Sequence, residues 1–164
     1  MVNVRFEELW DAPHGQPYMI IVTTSAVSDG YGKLVMMQGS AAQARQVYPQ
    51  LSKMAFKKIK EQFPNFRLNG HNEDYGFLPI IDPPHGIGIF QTKRHWAEAA
   101  RLETIRCSTQ MLCEYVGAHQ EVNFRLPFPA GGHRQRGQSL KTIESSINEV
   151  LMKLPNNVTV VHWR

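Results

Sequence analysis

Short apolar runs that alternate with stretches of helical spacing restrict what this chain can fold into. Residues 18–22, YMIIV, are apolar without a break, as in a strand covered on both faces. Before it, Val2, Val4 and Phe6 alternate with polar residues like a half-buried strand, and residues 11–16, with Pro13 and Gly15, supply the turn between the two. Residues 33–37 are a further apolar piece, either a strand end or the inner wall of a loop. From Ser40 the spacing turns helical; Pro49 interrupts it, Leu51, Ala55, Ile59 and Phe63 recur four apart, and Pro64 closes the helix. Residues 75–81 and 86–91 read as strands on either side of a DPPHG turn. Leu102, Ile105, Thr109, Leu112 and Val116 then mark a helix that stops at Gly117. Val122, Phe124 and Leu126 alternate as a strand that runs into a loop at 127–138. Ser139 is placed to cap a last helix, whose apolar face is Leu140, Ile143, Ile147, Val150, Leu151 and Leu154 before Pro155, and residues 158–163 form a closing strand. This alternation predicts an α/β fold, with helices on both faces of a mainly parallel or mixed sheet. At 164 residues it is expected as a single domain, 1–164.

Ligands of such sheets bind in the crevice outside the carboxyl ends of the strands, where the loops at 23–38 and 127–138 should meet. Gly39 and Ser40 open a helix, whose first N–H groups have no partner within the helix and suit an anion. In the second loop, LPFPAGGHRQRGQSL, Gly131, Gly132 and Gly137 bare the main chain, while His133, Arg134 and Arg136 add donors. One loop can cradle each half of a pyrophosphate. A formal net charge of +4 slightly favours anionic partners, but no long basic block is present, and residues 57–60 read as a solvated face. Lys93, Arg94, His95 and Trp96 follow a strand directly. They read as snorkelling basic residues beside a packed Trp, with a nucleic-acid contact as the competing reading.

Nothing approaches the ~20 apolar residues of a membrane span, and the first ten residues carry charges where a secretory signal is greasy. The expected location is cytoplasmic. Cys107 and Cys113, the only cysteines, are six apart and point in different directions on a helix; free buried thiols are expected. No metal-site spacing and no cofactor motif is present.

Four stretches together resemble the macro domain, the ADP-ribose-binding α/β family, and in particular its short stand-alone bacterial and phage-like branch. They are IIVTTSAVSDGYGKLVMMQGSAAQARQVYP, IGIFQTKRHWAEAARLETIRCSTQML, VNFRLPFPAGGHRQRGQSL and LPNNVTVVHW, in the family's order and nearly end to end. The resemblance implies a three-layer α/β/α fold with a central mixed sheet. It also implies binding of ADP-ribose or a derivative, such as ADP-ribose phosphate or an ADP-ribosylated target. Carried over by position, Glu8 meets the adenine, Thr24, Ser25, Gly39 and Ser40 belong to the first loop, and Pro129, Ala130, Gly131, Gly132 and His133 grip the diphosphate. Trp163 is a candidate to stack on the base. If the chain is an enzyme, the resemblance implies an ADP-ribose-phosphate phosphatase or ADP-ribosyl hydrolase, with His133 the candidate base because it titrates near neutrality. Four departures accompany these matches: Glu7-Glu8 stands where the family has Gly-Asp, Ser25 replaces an asparagine, Met37 replaces the first glycine of Met-Gly-x-Gly, and AGGHRQRG stands for Gly-x-Gly-Gly. They open the alternative of a degenerate relative that takes a different small ligand, contacts another protein, or binds single-stranded nucleic acid.

Overall fold

The computed structural model describes residues 3–6, 8–12, 15–67, 74–129 and 140–162. Its strands are β1 (Asn3–Phe6), β2 (Tyr18–Thr24), β3 (Phe77–Ile81), β4 (His85–Gln91), β5 (Asn123–Pro127) and β6 (Val158–His162). They form one sheet in the order β1-β6-β5-β2-β4-β3. All neighbouring pairs are parallel except β3 with β4, so the sheet is mixed. The helices are α1 (Gly39–Val47), α2 (Leu51–Gln62), α3 (Leu102–Gly117) and α4 (Leu140–Leu151).

The continuous apolar run of β2 has its explanation in the layers. Ile20 and Val22 face Ala41 and Ala44 of α1 and Leu51, Ala55 and Ile59 of α2. Met19 and Ile21 face the opposite way, into a second core that holds Ile105, Leu112 and Val116 of α3 with Ile147, Val150 and Leu151 of α4. A strand sandwiched between two helical layers has no polar face to show. Each such aliphatic side chain contributes about 1.5–3 kcal/mol over leaving it in water. Small residues in α1 let the helix settle close on β2, and the lysines of α2 at 53, 57, 58 and 60 stay exposed, as a solvated face requires. At Gly88 of β4 a Cβ would stand 2.7 Å from Phe77 Cε2, so only glycine lets that ring lie across the strand.

One open sequence reading is decided by the structure, in favour of a loop wall, and one expectation needs revision. Residues 33–37 are not a strand: Leu34 makes an isolated bridge to Ser28, and Leu34 and Met36 line the inside of the loop while Met37 is exposed. The apolar run therefore belongs to a loop that follows β2, and the strand itself ends at Thr24. Cys107 and Cys113 are free, as expected, but half-exposed rather than buried. They point to different sides of α3: Cys113 packs against the α3/α4 core with its Sγ 3.7 Å from the Lys153 carbonyl, and Cys107 Sγ lies beside Gly76. Among the described residues no helix is long and apolar enough to cross a membrane.

Candidate functional site at the carboxyl edge of the sheet

Five parallel strands end on one edge, and the antiparallel β3 begins there. β2 and β5 are neighbours, with Tyr18 opposite Asn123 and Ile20 opposite Arg125. From β2 the chain leaves through α1 and α2 toward β3 and β4; from β5 it leaves through α4 toward β6, on the other side. Connections that diverge from adjacent strands cannot cover the gap between them, and that gap is where open α/β sheets take ligands.

The start of α1 lies on this edge. Gln38 precedes it in an extended conformation without a side-chain capping bond, and the first turn holds no acidic residue. Gly39 has φ +57°, and nothing lies within 4 Å of where its Cβ would be. The serine that might have capped the helix turns back instead: Ser40 Oγ accepts from Thr23 N at 3.1 Å and lies 3.3 Å from Thr23 Oγ1. Among the described residues nothing caps the dipole end of α1 on the carboxyl edge.

Beside it, the ends of β2 and β4 are held by a buried polar network. Tyr75 Oη bonds Thr24 Oγ1 and donates to the Ser25 carbonyl. Burial raises the Tyr75 phenol well above its usual range, the bond to Thr24 opposes that rise and Asp74 adds to it, so the group stays protonated and donates. Gln91, fully buried, accepts from Tyr75 N at 2.7 Å and Gly76 N at 3.1 Å, and donates to Asp74 Oδ1 and the Lys93 carbonyl, both at 3.2 Å. Asp74 also accepts from Arg94 Nε at 3.2 Å and Thr104 Oγ1 at 3.0 Å, and Arg101 approaches it at 3.8 Å. Lys93 follows Gln91 by two residues. Burial pushes its amine below the ordinary lysine value, against the pull of Glu98.

The residues singled out from sequence divide as follows. Glu8 is exposed directly after β1, Gly39 is exposed, and Pro129 is buried just beyond β5. Thr24, Ser25 and Ser40 are buried; Thr24 and Ser40 spend their hydroxyls on internal bonds, whereas Ser25 Oγ has no hydrogen-bond partner among the described residues. Met37, 74 % exposed, projects into solvent. Ala130, Gly131, Gly132, His133 and Trp163 lie outside the described residues. So does Ser139.

Sequence reasoning gave Asp74, Tyr75 and Arg101 no functional weight, left Gln91 without a role beyond its place in a family-like stretch, and treated Lys93 as one of a snorkelling basic cluster. Asp74 and Tyr75 precede the antiparallel strand, and only the sheet order brings them to this edge. A glutamine ending the apolar run IGIF was the available signal, since an amide closing a buried strand must find partners. Trp96 was expected to be packed; it is 44 % exposed and lies tilted against His95, with ring centroids 5.0 Å apart. Among the described residues no group of His, Cys, Asp or Glu side chains is arranged to hold a metal ion.

No family model matches the chain, and no curated protein does. Solved structures do. The macrodomain of Thermus aquaticus DarG superimposes with a TM-score of 0.66 at 22% identity, covering 100% of this chain and 98% of that one. The macrodomain of Mycobacterium tuberculosis DarG gives 0.66 at 20% identity over 99% and 97%. Thermosipho africanus DarTG, solved in complex with ADP-ribose, gives 0.63 at 14% identity over 98% of this chain and 41% of its own. At these identities what is shared is the architecture, and the chain has the macrodomain fold.

Proposed function

We propose that the protein binds ADP-ribose or a derivative of it across the carboxyl edge between β2 and β5. The observation that carries this reading is the uncapped start of α1 beside two adjacent strands whose connections diverge. A diphosphate meets main-chain N–H groups there at low cost, because those donors have no helical partner to give up. Glu8, after β1, accepts from the exocyclic amine of the adenine at one end. At the other, the segment at Thr24 and Ser25 that ends β2 forms the wall beneath the distal ribose, and Gly131 and Gly132 wrap the diphosphate from the second loop. The fold shared with a protein solved with ADP-ribose supports this reading.

Turnover of a phosphorylated or protein-linked form requires a group that moves a proton or attacks at the distal ribose. His133 is one candidate. Lys93 is the other, since an amine with a lowered pKa on the ligand edge has a larger neutral fraction near neutrality than an ordinary lysine. Calorimetry with ADP-ribose, ADP and ADP-ribose phosphate tests the binding. Saturable ADP-ribose binding without product identifies a reader, and release of phosphate or free ADP-ribose identifies a hydrolase. Absence of both heat and thermal shift with all three ligands defeats the reading.

A second reading rests on Trp96. An exposed indole beside Lys93, Arg94 and His95 offers a stacking platform with cations, which suits a single-stranded nucleic acid. It predicts binding that weakens steeply with salt and is lost in Trp96→Ala; no binding at low salt removes it.

A further inference from the structure

Arg125 is a cation in the middle of the sheet. It lies on β5, opposite Thr159 of β6, and only 4 % of it is exposed. Its neighbours Phe124 and Leu126 enter the core under α3 and α4, so Arg125 points to the other face, the side of α1 and α2. There it reaches past β6 to the chain that follows β1. Nε donates to the Leu9 carbonyl at 2.9 Å, and Nη2 donates to the Glu8 carbonyl at 2.6 Å. Burying a guanidinium is expensive, and an apolar residue of similar size would fill the same volume more cheaply. What an apolar residue cannot do is hold two successive carbonyls in a fixed direction.

The same segment is tied from its other side. Leu9 is fully buried in the α1/α2 core, and Trp10 Nε1 donates to Gln43 Oε1 of α1 at 3.0 Å. Residues 8–10 are therefore bolted to β5 and to α1, the two elements that flank the proposed ligand crevice. Of the three side chains, Leu9 points into the core, Trp10 is half-buried, and Glu8 is exposed to solvent. With two of the three side chains and two of the carbonyls fixed, the direction of the Glu8 carboxylate is set by its own few rotamers alone.

We infer that Arg125 is a positioning residue for base recognition: by holding the Glu8 and Leu9 carbonyls it aims the Glu8 carboxylate, and so confers preference for a base that carries an exocyclic amine. This rests on the proposed binding of an ADP-ribose-like ligand. The proposed diphosphate and distal-ribose contacts fall at the start of α1, the end of β2 and the second loop rather than at residues 8–9, so their contribution to affinity should be independent of Arg125.

The test uses ADP-ribose and its analogue with unsubstituted purine in place of adenine, and reads the ratio of the two dissociation constants by calorimetry. Wild type is expected to prefer ADP-ribose by about tenfold or more, the worth of one hydrogen bond to a charged acceptor. Arg125→Met keeps the apolar stem and removes the donors; it should bring the ratio close to one, chiefly by weakening ADP-ribose, with the analogue's affinity held within about twofold. In a Glu8→Ala background, where the ratio is already near one, Arg125→Met should change nothing further. Equal weakening of both ligands means that Arg125 is merely structural, and an undiminished ratio means that it does not aim Glu8; either overturns the inference. If Arg125→Met does not fold, Arg125→Lys carries the test: it keeps the charge but cannot serve both carbonyls, so an unchanged ratio again overturns it. Wild type that binds neither ligand defeats the functional reading itself, whereas wild type that binds both equally defeats only the role given to Glu8 and Arg125.

Discussion

Replacing Gln91 with leucine isolates what the polar network at the ligand edge contributes. Leucine has nearly the same volume, so the packing of a fully buried position is preserved while four hydrogen bonds disappear. The main-chain N–H groups of Tyr75 and Gly76 lose the oxygen they share, and the Lys93 carbonyl loses a donor; Asp74 keeps Arg94 and Thr104. A buried donor left without a partner costs about 1–3 kcal/mol, and two of them therefore cost about 2–6 kcal/mol. The more apolar side chain offsets about 1 kcal/mol of this. A net loss of about 1–5 kcal/mol follows, a large share of the 5–15 kcal/mol typical of a domain, and equivalent to a fall in Tm of roughly 2–20 °C for a chain of this length. Urea unfolding of both proteins measures it, as a shift in midpoint at unchanged m-value. A loss below about 1 kcal/mol would refute the reasoning, since it would mean that the two N–H groups find water or another acceptor without penalty. Ligand affinity should fall with stability, because residue 93 loses its tether to the residues that lead into β3.

The remaining expectations concern the same edge. Gly39→Asp places a carboxylate in open space at the start of α1: strain at positive φ costs about 1–2 kcal/mol, while ADP-ribose affinity drops more than tenfold, so unchanged affinity by calorimetry would remove α1 from the diphosphate site. Tyr75→Phe leaves the Ser25 carbonyl and Thr24 hydroxyl short of a partner and should cost about 1–3 kcal/mol in thermal or urea unfolding. For Lys93, a folded pKa below the unfolded value of 10.5 means that the unfolded chain holds the proton longer, so its contribution to stability rises as pH climbs toward 10.5. Lys93→Met should therefore be neutral or stabilising at pH 7, and that gain should fade with rising pH; a pH-independent difference between the two proteins contradicts the shift. Competitive amine labelling read by mass spectrometry should likewise give Lys93 a midpoint below the ordinary lysine value of 10.5.

The alternation of apolar runs with helical spacing was enough to specify the α/β class, because the periodicities of strand and helix are local properties of the chain. The unbroken run of residues 18–22 likewise marked a strand covered twice, and Pro49 and Pro64 marked where the second helix begins and ends. Gly39 and Ser40 were recognisable as a helix opening, though not the use to which Ser40 puts its hydroxyl. Residues 33–37 stayed open between a strand end and a loop wall, since an apolar run does not reveal whether its backbone pairs with a strand or merely lines a loop. The order of strands had to come from the tertiary structure. It alone placed Asp74, Tyr75 and Gln91 at the carboxyl edge of the parallel strands, carried Arg125 to the carbonyls of Glu8 and Leu9, and left Trp96 in solvent. The physical reason is that a side chain's partners in a sheet are supplied by strands distant in sequence, and the energy of a buried polar group depends on those partners rather than on its neighbours along the chain.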